Sequence, residues 1–144
     1  MFSSTVIDIP RPFVDPVESV VQALTIASLV TRRPRRGSTL ALILDSRRRG
    51  LGVVAAPRVD RTTIHSLVGA CCDIPGADSI VVVSVRRGIP VRATDVELHA
   101  RMSFALAAAG FTLLDWIVAG RGGAYCPRIV VGAPDPWTGS VPAP

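Results

Sequence analysis

The sequence predicts one α/β domain of the α+β kind, in which helices pack on a mixed β-sheet. Three observations lead to this fold class. The chain has 144 residues, of which 49% are hydrophobic, and this suits one well-buried core and leaves little for a second. Apolar runs of strand length alternate with helical patterns in the order α-β-β-α-β-α-β-β. The run at 79–85 is continuously apolar, as in a strand covered on both faces.

The N-terminal part is predicted to be an irregular arm, residues 1–14, followed by a helix over 16–30. Asp15 is the expected N-cap, Pro16 suits the first helical position, and Glu18 completes a capping-box pattern. Helical spacing predicts a buried face made of Val17, Val20, Val21, Leu24, Ala27 and Ser28.

Residues 38–59 are predicted to form an antiparallel hairpin. "STLALILD" is a short apolar run of strand length, "SRRRG" is a turn, and "LGVVAAPRV" has the pattern of the paired strand. Asp60 then caps a second helix over 61–72, which ends near Pro75 and Gly76.

The C-terminal half continues the alternation of strands and helices. After the strand "DSIVVVSV", Asp95 is the expected N-cap of a third helix that Gly110 stops. "FTLLDWIVAG" is a strand in which we expect Trp116 to be a core residue, and "RGGAYCPRIVV" is a turn with a last strand. We expect one domain over 15–131 and a Pro-rich, disordered tail over 132–144.

All of the positive charge of the chain comes from arginine. There are 16 basic and 11 acidic residues, giving a net charge of +5. The basic clusters lie at element ends and turns, where we expect them to be exposed: Arg32, Arg33, Arg35, Arg36, Arg47, Arg48, Arg49, Arg86 and Arg87. One interpretation is binding of nucleic acid or another polyanion through phosphate contacts. The other is a solvated basic surface that reflects a composition bias.

The three cysteines indicate a reducing compartment, and we expect a cytoplasmic protein. An odd number with two adjacent residues, Cys71 and Cys72, does not form a disulfide framework, and the pair is expected to be buried. The N-terminus has no basic region before its apolar residues, so we do not expect it to be a signal peptide. No apolar run approaches the ~20 residues that a membrane span requires, so no membrane partner is expected.

Residues 95–123, "DVELHARMSFALAAAGFTLLDWIVAGRGG", resemble the end of the JAB/MPN metalloprotease-like domain in its RadC branch. The matching positions stand in register without a gap: Asp95, Gly110, Leu113, Leu114, Asp115, Gly120, Gly122 and Gly123. Upstream, "TLALILDSRRRGL" resembles the first hairpin of that family. The resemblance extends over about residues 15–126 and implies the JAB/MPN, cytidine-deaminase-like architecture.

Active domains of this family hold zinc with an H-x-H at the end of the central strand and an Asp about ten residues later. Aligned on the strand, this chain has Ser84 and Arg86 at the histidine positions, and aligned without a gap from Asp95 it has Val82 and Ser84. The position of the oxyanion Ser is filled by Arg92 or a neighbour. The position of the general base falls at about residue 37 or 38, where no acid stands. The resemblance therefore implies a vestigial pocket of Ser84, Arg86, Arg92 and Asp95.

Other residues offer weak grounds for a metal or a catalytic site. His65 and Cys72 share a helix face, His99 lies one turn after Asp95, and Cys126 has no Cys or His nearby in sequence. We interpret them as ordinary packed or surface residues. No phosphate loop, dinucleotide fingerprint or nucleophile–base pattern is present, so we expect no cofactor and no metal.

The resulting expectation is a non-catalytic, RadC-like JAB/MPN domain that serves as a scaffold or protein-interaction module, with a protein partner or a homodimer. The alternative is a nucleic-acid-associated protein that binds phosphates through Arg35, Arg36, the 47–49 turn, Arg86 and Arg87. A metal-dependent hydrolase with unorthodox ligands is the third hypothesis.

Overall fold

A computed structural model of the chain describes residues 10–30, 38–86 and 92–137. They form helices α1 (Val20–Val30), α2 (Arg61–Asp73) and α3 (Thr94–Ala108). The strands are β1 (Thr39–Leu44), β2 (Gly50–Ala56), β3 (Ser79–Val85), β4 (Thr112–Gly120) and β5 (Gly123–Tyr125), and a short 3-10 helix (Pro127–Ile129) follows. The predicted order of helices and strands is confirmed.

The five strands form one mixed sheet in the order β2-β1-β3-β4-β5. β1 is antiparallel to both β2 and β3, β3 and β4 are parallel, and β4 is antiparallel to β5. Because α3 connects the parallel strands β3 and β4, it begins beside the carboxyl end of β3. Crevices at such ends are where open α/β sheets usually bind ligands.

Helices pack on both faces of the sheet. α2 and α3 cover one face, where Leu67 and Met102 are in the same buried cluster as Val82. α1 covers the other face, where Ala23 is clustered with Val81. β3 alternates its side chains between the two clusters and is buried from Ser79 to Ser84, which confirms the predicted doubly covered strand.

The predicted start of the first helix is wrong. α1 begins at Val20, and the Oγ of Ser19 accepts a hydrogen bond from the backbone N–H of Gln22 at 3.1 Å, so Ser19 is the N-cap. Asp15 instead accepts a 2.8 Å hydrogen bond from the Nε of Arg11. The segment before Ser19 lies along the β1–β2 turn, where the N–H of Val17 bonds the carbonyl of Arg48.

The buried face of α1 also differs from the prediction. Ala23 and Ala27 are buried, whereas Val21 and Ser28 are exposed. Because the helix starts later than its apparent capping signal, Val17 lies in the segment before the helix, and it is buried there.

The N-cap predicted for α3 is wrong as well. The helix begins at Thr94 with Ala93 at the N-cap, and no side chain caps it there. Asp95 is the second helical residue and is 1% exposed. A charged group so well buried requires partners within the protein.

The chain beyond β4 is less regular than predicted. β5 ends at Tyr125, and Pro127 opens the 3-10 helix, which leaves Ile129 exposed where a last strand was predicted. Pro127 lacks an N–H for a strand ladder. Packing continues past residue 131, because Trp137 lies against the cluster covered by α1; residues 138–144 lie outside the described part of the chain.

Candidate functional site

A cavity of about 490 Å³ lies at the carboxyl end of β3. The start of β1, the loop before α2 and the first turns of α3 complete its wall. Three arginines and four hydroxyl side chains line it: Arg58, Arg86, Arg92, Ser38, Thr39, Ser84 and Thr94. The described lining residues include no carboxylate, so every charged side chain among them is positive.

Arg86 and Asp95 form a buried, bidentate ion pair beneath this cavity. The two terminal nitrogens of Arg86 donate to the two carboxylate oxygens of Asp95 at 2.8 and 2.6 Å. The side chains are 11% and 2% exposed. The guanidinium also lies 5.5 Å from the centre of the Trp116 ring, a cation–π contact. β3 and α3 are thus joined by a charge pair at the point where the chain leaves the sheet.

Asp95 has two further hydrogen-bond donors. The backbone N–H of Arg92 donates to Oδ2 at 2.9 Å, and the hydroxyl of Tyr125 donates to the same oxygen. Burial disfavours the charged carboxylate, but hydrogen bonds from Arg86 and Tyr125 outweigh that effect and hold the pKa of Asp95 below its usual value. Burial and the neighbouring carboxylate raise the pKa of Tyr125. Asp95 is therefore an ionised carboxylate whose acceptor oxygens are occupied.

Ser84 belongs to a second set of hydrogen bonds in the same wall. Its Oγ lies 3.0 Å from the Oγ1 of Thr39 and accepts a 3.0 Å hydrogen bond from the Nε1 of Trp116. All three side chains are buried. Ser84 thereby satisfies the indole N–H and links β1, β3 and β4, and this accounts for the buried hydroxyl in an otherwise apolar strand.

The four residues of the predicted vestigial pocket come together in space, but their chemistry does not fit zinc. The Ser84 hydroxyl is engaged, Arg86 carries a permanent positive charge, and Asp95 is bound to that charge. On the alternative alignment, Val82 is a fully buried core residue and has no donor atom. Among residues 10–30, 38–86 and 92–137, no group of three or more His, Cys, Asp or Glu side chains is placed to hold a metal ion.

Asp115 is the centre of a separate buried cluster on β4. Its carboxylate accepts hydrogen bonds from the Nε1 of Trp137 at 2.7 Å and the Nε of Arg128 at 3.2 Å, and lies 3.4 Å from the Cys126 sulfur. Burial and this carboxylate raise the pKa of Cys126 to about 12, which keeps the thiol protonated and unreactive at neutral pH. Burial lowers the pKa of His99 nearby. These contacts attach the C-terminal segment to the sheet.

The arginine turn between β1 and β2 is only partly free. The Nη2 of Arg48 donates to the carbonyl of Pro136 at 2.8 Å, and Arg49 pairs with Asp45 at 2.7 Å. Arg47 is exposed as predicted. The other three described arginines that were predicted to be exposed are half-buried: Arg48, Arg49 and Arg86. The remaining predicted anion-binding residues lie outside the described residues: Arg32, Arg33, Arg35, Arg36 and Arg87.

The cysteine and histidine predictions have mixed outcomes. Cys71 is buried, but Cys72 is exposed, so the expectation of a buried pair is wrong for one member. His65 is also exposed on α2. Trp116 is fully buried, which confirms its place in the core.

Sequence reasoning missed three residues of the site. Thr39 and Tyr125 come from strands far apart in sequence, and Arg58 precedes the α2 N-cap. A weak signal was available for Arg58, because a basic residue just before a helix N-terminus lies where anions bind. Nothing in the local sequence connects Tyr125 to Asp95, 30 residues away.

No protein-family model and no curated protein matches this chain.

Proposed function

We propose that this chain is a non-catalytic domain of the JAB/MPN type, similar to the RadC branch, which acts as an interaction module. The observation that carries the proposal is the engagement of Asp95. A zinc ligand needs a free oxygen, whereas both oxygens of Asp95 are bonded to Arg86 and one of them also to Tyr125 and the Arg92 amide. On the strand-anchored alignment a permanent guanidinium charge takes the place of a neutral imidazole and opposes metal binding by charge repulsion, and on the other alignment Val82 and Ser84 supply no imidazole either.

Metal analysis with a gain-of-ligand variant tests this proposal. We expect protein purified without chelators to contain well under one zinc per chain. In the Ser84→His/Arg86→His variant, checked for folding by circular dichroism, we expect zinc binding that is lost again when Asp95→Asn is added.

Two results would contradict the proposal. A folded double-histidine variant that binds no zinc would argue against the JAB/MPN arrangement of these positions. Near-stoichiometric zinc in the unmodified protein, lost in His99→Ala or Cys126→Ala, would support the unorthodox hydrolase instead.

The edge strand β2 supports the interaction role, and we propose a second copy of this chain as its partner. Among the described residues, β2 pairs with β1 on one side and ends the sheet on the other, where the Phe13 N–H bonds the carbonyl of Gly50 at its start. Its seven residues contain no charge and no proline, two of the devices that usually protect a sheet edge, and the one register shift in its pairing with β1 lies near its start. Val53 on the strand and Phe13 beside it are 39% and 63% exposed. Antiparallel pairing of two β2 strands about a twofold axis would extend the sheet and cover these side chains.

Light scattering after gel filtration tests the homodimer. We expect a dimer that Val53→Lys converts to a monomer, since a lysine protects a strand edge. Val21→Lys on α1 is the matched control, because Val21 is equally apolar and 53% exposed but lies on a helix. A monomeric protein, or equal effects of the two substitutions, would exclude pairing through β2.

Binding of nucleic acid is the second candidate, and the exposed arginines Arg47, Arg58 and Arg92 favour it. Such binding would be electrostatic and indifferent to sequence, since these residues offer phosphate contacts without a recognition helix. Titration with duplex and single-stranded DNA over a salt series tests it. An affinity that is insensitive to salt, or a clear sequence preference, would exclude this mechanism.

A further inference from the structure

We propose that the cavity at the carboxyl end of β3 binds a small organic phosphate through Arg58 and Arg92. This inference deepens the proposed function and rests on it, since Arg86 must remain with Asp95 and not give way to a metal. The proposed non-catalytic function assigns no ligand to this cavity, and the inference adds one.

The charges around the cavity favour a dianion. Arg86 is neutralised by Asp95, so its charge contributes little to a ligand. Arg58 and Arg92 are exposed at the wall. Asp60 lies 3.6 Å from Arg58, but the two side chains are 43% and 79% exposed, and such solvated pairs are weak. Arg58 and Arg92 therefore bring two positive charges to the cavity wall, which matches the charge of a phosphate monoester.

The remaining wall supplies both hydrogen-bond donors and apolar surface. Thr94, the first residue of α3, brings a hydroxyl group to the wall, whereas Asp95 and Glu97 in the first turn already offset the positive amino end of this helix. Val59, Val85 and Leu98 contribute apolar surface. The cavity volume of about 490 Å³ falls within the roughly 300–1,000 Å³ range of small-molecule sites. An organic group attached to the phosphate would contact this surface.

The position of the cavity in the sheet agrees with ligand binding. It lies where β3 is flanked by the antiparallel strand β1 and the parallel strand β4. Open α/β sheets usually bind ligands in crevices outside the carboxyl ends of their strands. The ion pair and the Ser84 hydrogen bonds hold the cavity wall at the end of β3 in place, and Arg58 and Arg92 line the same cavity.

NMR titration with three probes tests the proposal: phenyl phosphate, phenol, and a short single-stranded oligonucleotide without terminal phosphates. We expect phenyl phosphate to shift backbone amides of 38–39, 58–59, 84–86 and 92–98, and phenol to have little effect. Arg92→Gln and Arg58→Gln should each weaken phenyl phosphate binding by about tenfold or more, the loss of one charge-assisted contact. Arg61→Gln is the matched control, because Arg61 is exposed on the first turn of α2 but does not line the cavity.

Zinc content is measured on the same samples, which separates failure of this proposal from failure of the proposed function. If Arg61→Gln and Arg92→Gln weaken phenyl phosphate binding equally in zinc-free protein, the binding depends on overall positive charge and the proposed site is wrong. Phenol binding as tightly as phenyl phosphate would overturn the role of the phosphate. Tight oligonucleotide binding that phenyl phosphate does not displace would assign the arginines to nucleic acid and also overturn the proposal.

Discussion

The local sequence around Asp95 predicts a different role for its carboxylate from the one it has in the structure. It stands just before a helical pattern, so the sequence favours an N-cap, yet its side chain is turned into the protein and bonded to Arg86. Removing one partner of a buried pair leaves an uncompensated charge, whereas replacing both can be nearly neutral. The pair therefore stabilises the fold only as long as both members are present.

At this residue scale we predict that Arg86→Met destabilises the protein by about 3–5 kcal/mol, because Asp95 then lacks its cation. Adding Asp95→Asn should recover a large part of that loss, since the unpaired charge is removed. Chemical denaturation of the single and double variants measures the difference. A double variant less stable than Arg86→Met would show that Asp95 has a role independent of the ion pair.

Two elements differ from their predicted form, and in both cases tertiary contacts explain the difference. α1 starts at Val20 because the preceding residues bond to the β1–β2 turn, as in the contact from Val17 to Arg48. The C-terminal segment is held by Trp137, which donates to Asp115 and lies 5.8 Å from the guanidinium of Arg48. Neither contact has a signature in the local sequence.

For α1 we predict that Ser19→Ala lowers the free energy of unfolding by about 1 kcal/mol, the usual cost of losing an N-cap. Asp15→Asn should cost less than Ser19→Ala, because Asp15 lies outside the helix and its ion pair with Arg11 is solvent-exposed. Urea denaturation of the two variants compares these costs. A larger loss of unfolding free energy in Asp15→Asn than in Ser19→Ala would indicate that Asp15 is the N-cap of α1.

For the C-terminal segment we predict that Trp137→Ala costs about 2 kcal/mol, from lost packing and from the lost hydrogen bond to Asp115. Phe104→Ala is the matched aromatic control, because Phe104 is 78% exposed on α3, and it should change stability by no more than about 0.5 kcal/mol. Thermal and chemical denaturation measure both variants. Equal effects would mean that Trp137 does not anchor the segment.

At the scale of the whole molecule, carboxylates with depressed pKa values hold the fold at several separate points. Asp95 joins β3 to α3, Asp45 closes the β1–β2 turn, and Asp60 accepts a hydrogen bond from the Thr63 amide at the start of α2. Hydrogen bonds outweigh burial and lower the pKa of Asp45 and Asp95, and the Thr63 amide is the main cause of the lowered pKa of Asp60. Among the described residues no helix is long and apolar enough to cross a bilayer.

These pKa shifts determine whether the protein gains or loses stability as the pH falls. A carboxylate with a lower pKa in the folded state contributes stability above its unfolded pKa, about 3.9 for Asp, and this stability is lost as pH falls through the folded value. Because burial lowers the pKa of His99, the unfolded state binds a proton more readily as pH falls below about 6.5, so we expect a midpoint of thermal unfolding that falls modestly from about pH 7 to 5 and falls further below about pH 4. Asp45→Asn should reduce the slope of that fall. Stability that rises between about pH 5 and 3 would contradict these pKa directions.

The sequence by itself determined the order of the elements, the β1–β2 hairpin, the doubly covered strand β3 and the Asp60 cap of α2. These features depend on hydrophobic periodicity and on contacts within a few residues, which a linear pattern records. The resemblance to the RadC branch grouped Ser84, Arg86, Arg92 and Asp95 in one predicted pocket, and these residues lie together at the end of β3. Only the tertiary structure decided what those residues do there. Burial makes Asp95 require partners, and two that satisfy it, Arg86 just after β3 and Tyr125 at the end of β5, come from distances in sequence that no local pattern encodes.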